Sequence, residues 1–125
     1  MTTKTALIVD DEVHIRRVLE VKLKNKGMQV MMAKNGQEAL DLIQENRPDV
    51  VITDINMPIM DGKTLCILTN PLKKEKTFLT IVVTARIDPQ DNIWIQELQD
   101  TILLEKPFSP MEILHIIQSY RGEPN

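Results

Sequence analysis

The chain has 125 residues, 42% of them hydrophobic, which is enough for one ordinary domain with its own core and excludes a disordered chain. Its net charge of −3 gives no basic footprint for nucleic acid, and its apolar runs are too short for a signal peptide or a membrane span. The single cysteine, Cys66, rules out an intrachain disulfide and fits a reducing compartment. We therefore expect one cytoplasmic domain over residues 1–125, with no effector domain.

In the first third of the chain, two short apolar runs flank a helical pattern. Thr5–Val9 and residues 28–33 are the predicted strands, the second rich in methionine. Asp11 is the predicted cap of the helix between them, and Gly27 marks its C-terminal end. That helix directs one apolar face toward the core, formed by Ile15, Val18, Leu19 and Leu23.

The second helix is predicted to begin at Asn35, because Glu38 three residues later completes a pattern similar to a capping box. Its buried face consists of Ala39, Leu40 and Ile43. Pro48 ends it, since the residue before a proline disfavours helical geometry.

The run Val50–Asp54 is almost entirely apolar and ends in a carboxylate, as expected of a strand that is buried on both faces. A tight loop follows, and Asp61 or Gly62 starts a helix that extends to about Thr69. Pro71 predicts that the helix does not continue. The charged residues 73–76 then read as a solvated loop.

The last third of the chain predicts two more strands, Leu79–Thr84 and Thr101–Glu105. Asp88 and Pro89 are typical of an N-cap and a first helical residue, and Ser109 opens the final helix with a capping box. The apolar positions of the first of these helices are too many for one narrow face: Ile93, Trp94, Ile95 and Leu98. The final helix has a simpler face, formed by Ile113, Leu114, Ile117 and Tyr120.

Strands and helices alternate five times, which predicts a parallel sheet with helices on both faces and right-handed crossovers. In such a sheet the carboxyl ends of the strands meet at one edge, where ligands bind. Asp10, Asp11 and Asp54 would converge there with Lys106. Clustered carboxylates repel one another without a cation, and their oxygens suit Mg²⁺.

These residues together resemble the receiver domain of a two-component response regulator. The matching motifs are the pair Asp10-Asp11, Asp54 within DINMPIMDG, Thr84-Ala85, and Lys106-Pro107-Phe108. Each motif is weak alone, but the ordered set covers nearly the whole chain and is specific. The resemblance implies a flavodoxin-like (βα)5 fold, an α/β doubly wound parallel sheet with strand order 2-1-3-4-5.

The resemblance also implies the chemistry. Asp54 would accept a phosphoryl group from the phosphohistidine of a sensor histidine kinase or a histidine phosphotransfer protein. Lys106 would bind a phosphoryl oxygen as a point charge, and the Thr84 hydroxyl would donate a further hydrogen bond. The Lys106–Pro107 peptide bond is expected to be cis.

The same resemblance implies the Mg²⁺ ligands. Asp11 and Asp54 would bind the ion, Asp10 would act through water, and the backbone carbonyl of Asn56 would complete the protein's share. His14 and His115 lie far apart without ligand spacing, so we expect ordinary surface or partly packed histidines.

Three functions compete at this stage. A phosphorylation-controlled switch, which catalyses only its own phosphorylation and dephosphorylation, leads. A phosphohydrolase of the haloacid dehalogenase type needs an acid two residues after its nucleophile, and Asn56 stands there instead. A phosphorylation-independent interaction module on the same fold would be expected to carry a degenerate site, which this sequence does not have.

The sequence departs from the receiver pattern at Leu103, where many receivers carry an aromatic residue that takes part in switching. Gln99-Asp100 replaces a common Gly-Ala pair, and Leu79 replaces a common proline. The expected partner surface, which would contact an unknown downstream protein or form a homodimer, comprises residues 88–98, Thr101–Glu105 and residues 109–120. We expect no direct contact with nucleic acid or membrane.

Overall fold

The computed structural model describes residues 4–120 and contains five strands and five α-helices in strict alternation. The strands are β1 (Thr5–Val9), β2 (Gln29–Ala33), β3 (Val50–Asp54), β4 (Leu79–Thr84) and β5 (Thr101–Glu105). The helices are α1 (Val13–Asn25), α2 (Gly36–Asn46), α3 (Gly62–Thr69), α4 (Pro89–Gln96) and α5 (Pro110–Ser119). The predicted strand and helix bounds agree with these to within a few residues. The predicted face of α5 includes Tyr120, which follows the helix as its C-terminal cap.

The strands form one parallel sheet in the order β2-β1-β3-β4-β5, as the resemblance implied. Asp54 at the end of β3 is level with Val83, and Thr84 at the end of β4 is level with Glu105. This register brings the residues after β1, β3 and β5 to one edge of the sheet.

Helices cover both faces of the sheet, because the central strands are apolar on both sides. The first face packs against α1 and α5 through a cluster that includes Leu19, Leu23, Ile113 and Ile117. The second packs against α2 and α3 through Ala39, Ile43 and Leu65. A third cluster, Cys66, Val82, Trp94 and Ile95, joins α3 and α4 to the sheet.

Side-chain caps start most of the helices where the sequence places them. Asn35 Oδ1, Asp61 Oδ1 and Ser109 Oγ accept backbone N–H bonds from the first turns of α2, α3 and α5. The capping box at α2 is incomplete, since Glu38 accepts from the N–H of Lys34 and not from that of Asn35.

The prediction that Asp11 caps α1 is wrong. The residue at the N-cap position is Glu12, and α1 has no side-chain cap hydrogen bond within the described chain. The reason lies one residue earlier, because the Asp10 side chain accepts the N–H of Glu12 at 2.9 Å and shifts the helix start.

The segment after α3 also differs from its prediction. The α-helix α3 ends at Thr69 as predicted, but a 3₁₀ helix, Asn70–Lys74, follows it directly and holds Pro71 in its first turn, where no N–H is needed. Lys73 is not solvated but 1% exposed. Its ammonium donates to the carbonyls of Gln99 and Asp100 and to the Thr101 hydroxyl, which satisfies a charge that burial would otherwise disfavour.

The surplus of apolar residues on α4 is smaller than the sequence suggests. Trp94 and Ile95 are buried and Leu98 is partly buried, whereas Ile93 is 61% exposed. The Trp94 indole donates to Asp91 Oδ1 at 3.1 Å. None of the helices in the described part of the chain is long and apolar enough to span a membrane. The C-terminal residues 121–125, which the sequence predicts to be frayed, lie outside the described residues.

Candidate functional site

The carboxylate of Asp54 lies at the centre of the carboxyl edge of the sheet. Its Oδ1 accepts the N–H of Ile55 at 2.7 Å, which orients the side chain at the strand end. The N–H of Gly62 donates to the Ile55 carbonyl at 2.7 Å, and a β-carbon at position 62 would collide with the carbonyl oxygen of Asp54. Glycine at position 62 therefore lets α3 begin directly against the end of β3.

Lys106, the residue after β5, places a positive charge at this edge. Its ammonium lies 3.1 Å from Asp54 Oδ2, 3.6 Å from Asp10 Oδ2 and 3.8 Å from Glu12 Oε1. The Lys106–Pro107 peptide bond is cis, which confirms the prediction. The lysine thus contacts two acids that follow β1 and the acid that ends β3.

Burial and charge act against each other on the ionisation of these groups. Partial burial by itself would lower the pKa of Lys106, but the hydrogen bond to Asp54 and the charges of the neighbouring acids outweigh it and raise that pKa. Burial raises the pKa of Asp10, although the Glu12 N–H and the Lys106 charge act in the opposite direction. Lys106 therefore remains positive at neutral pH, and Asp10 is a carboxylate in an unfavourable environment.

The donor set fits a hard divalent cation. Carboxylate oxygens of Asp10, Glu12 and Asp54 lie within 4.8 Å of one another. Asp10 is 1% exposed, and its Oδ2 accepts no hydrogen bond from any residue between 4 and 120. A buried carboxylate oxygen without a donor is costly, and a cation beside it removes that cost. The site therefore suits Mg²⁺, which takes oxygen ligands and retains several waters.

Of the predicted side-chain ligands, Asp11 is not in this group of carboxylate oxygens, and the predicted Asn56 ligand is a backbone carbonyl. Asp11 is exposed and Asn56 is exposed on the loop after β3, and their assignments as ligands remain predictions. Glu12 is in the group, although it is not one of the ligands predicted from the sequence. The run Asp10-Asp11-Glu12 contains three candidate acids. Only the turn at Asp10, where the Glu12 N–H donates to Asp10 Oδ1, shows which of the two following acids lies beside Asp10 and Asp54.

Thr84 lies at the same edge with its hydroxyl turned toward the following loop. The residue is 3% exposed, and its Oγ1 donates to the carbonyl of Arg86 at 3.0 Å. The N–H of Ile87, in the same loop, donates to Glu105 Oε2 at 2.9 Å. A hydrogen bond from Thr84 to a ligand at Asp54 would therefore require the hydroxyl to leave Arg86.

Leu103 is partly buried in the cluster of Cys66, Val82, Trp94 and Ile95. The large side chain in this region is Trp94 on α4 and not residue 103 on β5. His14 and His115 are both exposed, as expected of ordinary surface residues.

The sequence matches one protein family over most of its length. The family model described as the response regulator receiver domain covers residues 6–118. A probable transcriptional regulator ycf27 from Cyanophora paradoxa is 40% identical over 116 residues, which are 93% of this chain and 47% of that protein. One from Guillardia theta is 42% identical over 112 residues, 90% and 43% of the two chains. The chain thus spans about half the length of these relatives.

Solved structures agree with the sequence match. The chemotaxis protein CheY4 of Vibrio cholerae superposes with a TM-score of 0.84 at 31% identity, covering 94% of this chain and 98% of that one. A CheY-like receiver domain protein from Methanospirillum hungatei gives a TM-score of 0.86 at 25% identity, covering 94% and 92%. The fold and site define a receiver, and the chain belongs to the response regulator receiver domain family of two-component signalling.

Proposed function

We propose that this chain is a phosphorylation-controlled signalling switch that accepts a phosphoryl group on Asp54 from a sensor histidine kinase or a histidine phosphotransfer protein. One observation carries the proposal. A carboxylate at the end of a buried strand, 7% exposed, has a lysine ammonium 3.1 Å from its Oδ2 and an acidic, cation-binding group of oxygens beside it. Such a site holds a nucleophile and cancels the charge of an incoming phosphoryl group.

The transfer step is a displacement at phosphorus. An oxygen of Asp54 forms a bond to phosphorus while the bond between phosphorus and the donor's imidazole nitrogen breaks, and the nitrogen leaves with the electron pair. In hydrolysis, a water oxygen forms a bond to phosphorus while the bond between phosphorus and the Asp54 oxygen breaks, so that inorganic phosphate leaves, a proton passes to solvent and the Asp54 carboxylate is restored. Lys106 binds a phosphoryl oxygen in both steps. The neighbouring acids raise the pKa of Lys106 above its ordinary value, so the ammonium is positive when the phosphoryl donor arrives.

Asp10, Asp54 and either Asp11 or Glu12 would hold Mg²⁺, with the Asn56 carbonyl as a further ligand. The ion would supply positive charge that offsets the negative charge of the phosphoryl oxygens. The two candidate acids are both exposed but differ in position, because a Glu12 carboxylate oxygen lies within 4.8 Å of those of Asp10 and Asp54, whereas Asp11 is not in that group. Calorimetric titration of Asp11→Ala and Glu12→Ala with Mg²⁺ identifies the ligand as the acid whose loss weakens binding.

Intact-mass measurement tests the phosphoacceptor. Acetyl phosphate with Mg²⁺ is expected to add one phosphoryl group to the wild type and none to Asp54→Asn. Asp61→Asn is a matched control, because Asp61 is a carboxylate of the same loop that caps α3. Equal labelling of the Asp54 variant and the wild type would refute the assignment.

The proposed switch turns over no external metabolite and works in the cytoplasm, a location with which the buried free thiol of Cys66 is compatible. Phosphorylation would shift an equilibrium between two states and alter the surface of α4, β5 and α5. A downstream protein, or a second copy of the chain, would bind that surface. Ile93, 61% exposed, and Met111, 55% exposed, are the large apolar side chains it presents there.

A further inference from the structure

The backbone that carries the acidic residues is held from the side of α1. Asp10 is almost fully buried, so its carbonyl oxygen needs a donor within the protein. Nη1 of Arg16 donates to that carbonyl from the first turn of α1. The N–H of Glu12 donates to Oδ1 of the same residue at 2.9 Å, so both the main chain and the side chain of Asp10 are fixed.

The Asp10 carbonyl belongs to the peptide group that joins Asp10 to Asp11. Its orientation determines where the Asp11 N–H points and how residues 10–12 turn into α1. Arg16 also takes part in the first turn of α1, where its N–H donates to the carbonyl of Glu12 at 3.2 Å. Arg16 therefore bonds to the backbone at both ends of the acidic turn, through its side chain to Asp10 and through its N–H to Glu12.

We infer that Arg16 is a positioning residue for the acidic pocket, which acts by fixing the Asp10–Asp11 peptide group so that the carboxylates of residues 10–12 are set for a divalent cation. The inference rests on the proposed function for its consequence, since the cation serves phosphorylation at Asp54. Arginine suits the task because its planar guanidinium donates in a fixed direction, whereas lysine offers a mobile point charge.

The two possible roles of Arg16, positioning of the ligands and simple charge, predict opposite changes in cation affinity when the residue is removed. Removing a positive charge near an acidic site strengthens cation binding, because a repulsion is lost. Removing a group that orients ligands weakens it, typically by about 10-fold or more in metal affinity. Arg17 is the matched control, since it is the next residue of α1, has the same charge and is exposed.

The experiment is a calorimetric Mg²⁺ titration of the wild type, Arg16→Ala, Arg16→Lys and Arg17→Ala, with thermal unfolding of each. Arg16→Ala is expected to raise the Mg²⁺ dissociation constant about 10-fold, Arg16→Lys to restore part of the affinity, and Arg17→Ala to leave it unchanged or slightly tighter. In the metal-free protein, Arg16→Ala should also move the amide resonance of Asp11, and Arg17→Ala should not.

Three outcomes would overturn the inference, and they differ in whether the proposed function fails with it. An Arg16→Ala protein that melts at a lower temperature yet binds Mg²⁺ as the wild type does would reduce Arg16 to a structural role and overturn the inference. A wild type that binds no Mg²⁺ would overturn the metal part of the proposed function and this inference together. An Asp11 resonance that stays in place in Arg16→Ala would overturn the inference alone, since that measurement needs no metal.

Discussion

Lys106 Nζ lies 3.1 Å from Asp54 Oδ2, although β5, which Lys106 follows, and β3, which Asp54 ends, are not neighbours in the sheet. β4 separates them, and the contact is made beyond its end. The ammonium also lies 3.6 Å from Asp10 Oδ2, so a single lysine balances acids from two other strands. A cation or a phosphoryl group that binds at this site would compete with these contacts of the Lys106 ammonium.

Replacement of Lys106 by methionine should affect metal binding and phosphorylation in opposite directions. Without the ammonium, the carboxylates repel one another more strongly, and Mg²⁺ affinity should rise roughly 3- to 10-fold. Phosphorylation of Asp54 by acetyl phosphate should slow by about 100-fold, because a charge that stabilises the transition state is lost. Calorimetry and time-resolved mass measurement give the two values. Lys63→Met, at an exposed lysine of α3, makes the same change in net charge and should leave both unchanged.

Replacement of Asp10 by asparagine should stabilise the protein. The pKa of Asp10 is raised by burial, so the contribution of this carboxyl to stability is present at low pH and is lost as the pH rises through its pKa in the folded state. A neutral amide avoids that loss and should raise the free energy of unfolding at pH 7 by about 1 kcal/mol. Urea unfolding measures the effect, and the exposed Asp11→Asn is the control. A gain at pH 7 no larger than the gain at pH 3 would contradict this cause.

Ile59 is held at a backbone φ of 71°, a conformation that a β-branched side chain rarely adopts. The side chain is 80% exposed, so its removal sacrifices little packing. Ile59→Gly should therefore raise the free energy of unfolding by up to about 1 kcal/mol, since strain is relieved at the cost of some unfolded-state entropy. Ile67→Gly, at an exposed position inside α3, should lower it by a similar amount. Destabilisation by both changes would show that Ile59 is not strained.

Lys73 should make the free energy of unfolding depend on pH in the alkaline range. Burial lowers its pKa from 10.5 to about 8 in the folded protein. Between these values the unfolded chain binds more protons, so stability rises with pH, by about 3 kcal/mol for a shift of this size. The difference in unfolding free energy between wild type and Lys73→Met should move in favour of the wild type from pH 7.5 to pH 10.5. The comparison cancels other titrating groups. Lys74→Met, which removes the same charge at the exposed neighbour, is the control.

The surface of α4, β5 and α5 should respond to phosphorylation despite the leucine at position 103. Trp94 and Leu103 share one apolar cluster, and the loop before α4 is tied to Glu105 at the end of β5. A change at Thr84 can therefore reach α4. Beryllofluoride, a stable mimic of the phosphoryl group, should shift amide resonances as far as Trp94 and Ile113. Shifts confined to the neighbours of Asp54, Thr84 and Lys106 would exclude this surface as the output.

Much of the fold followed from local sequence. Val50–Asp54 and Leu79–Thr84 are short, largely apolar runs, as expected of strands that are covered on both faces. Asn35, Asp61 and Ser109 start helices through bonds to residues three positions later, so their signals lie within a few residues. The acids at the strand ends and the lysine before a proline likewise identified the edge of the sheet where the site lies.

The tertiary structure decided what depends on residues distant in the chain. Lys73 appeared to belong to a solvated charge run, but the carbonyls of residues 99 and 100 arrive from beyond β4 and α4 and bury it. Asp11 and Glu12 are both exposed acids that the sequence alone does not distinguish, and the turn around Asp10 places only the Glu12 carboxylate in the group with Asp10 and Asp54, 3.8 Å from the Lys106 ammonium. Local patterns fix the elements because their hydrogen bonds are local. The direction of a charged side chain is fixed by the backbone and charges that the fold places beside it.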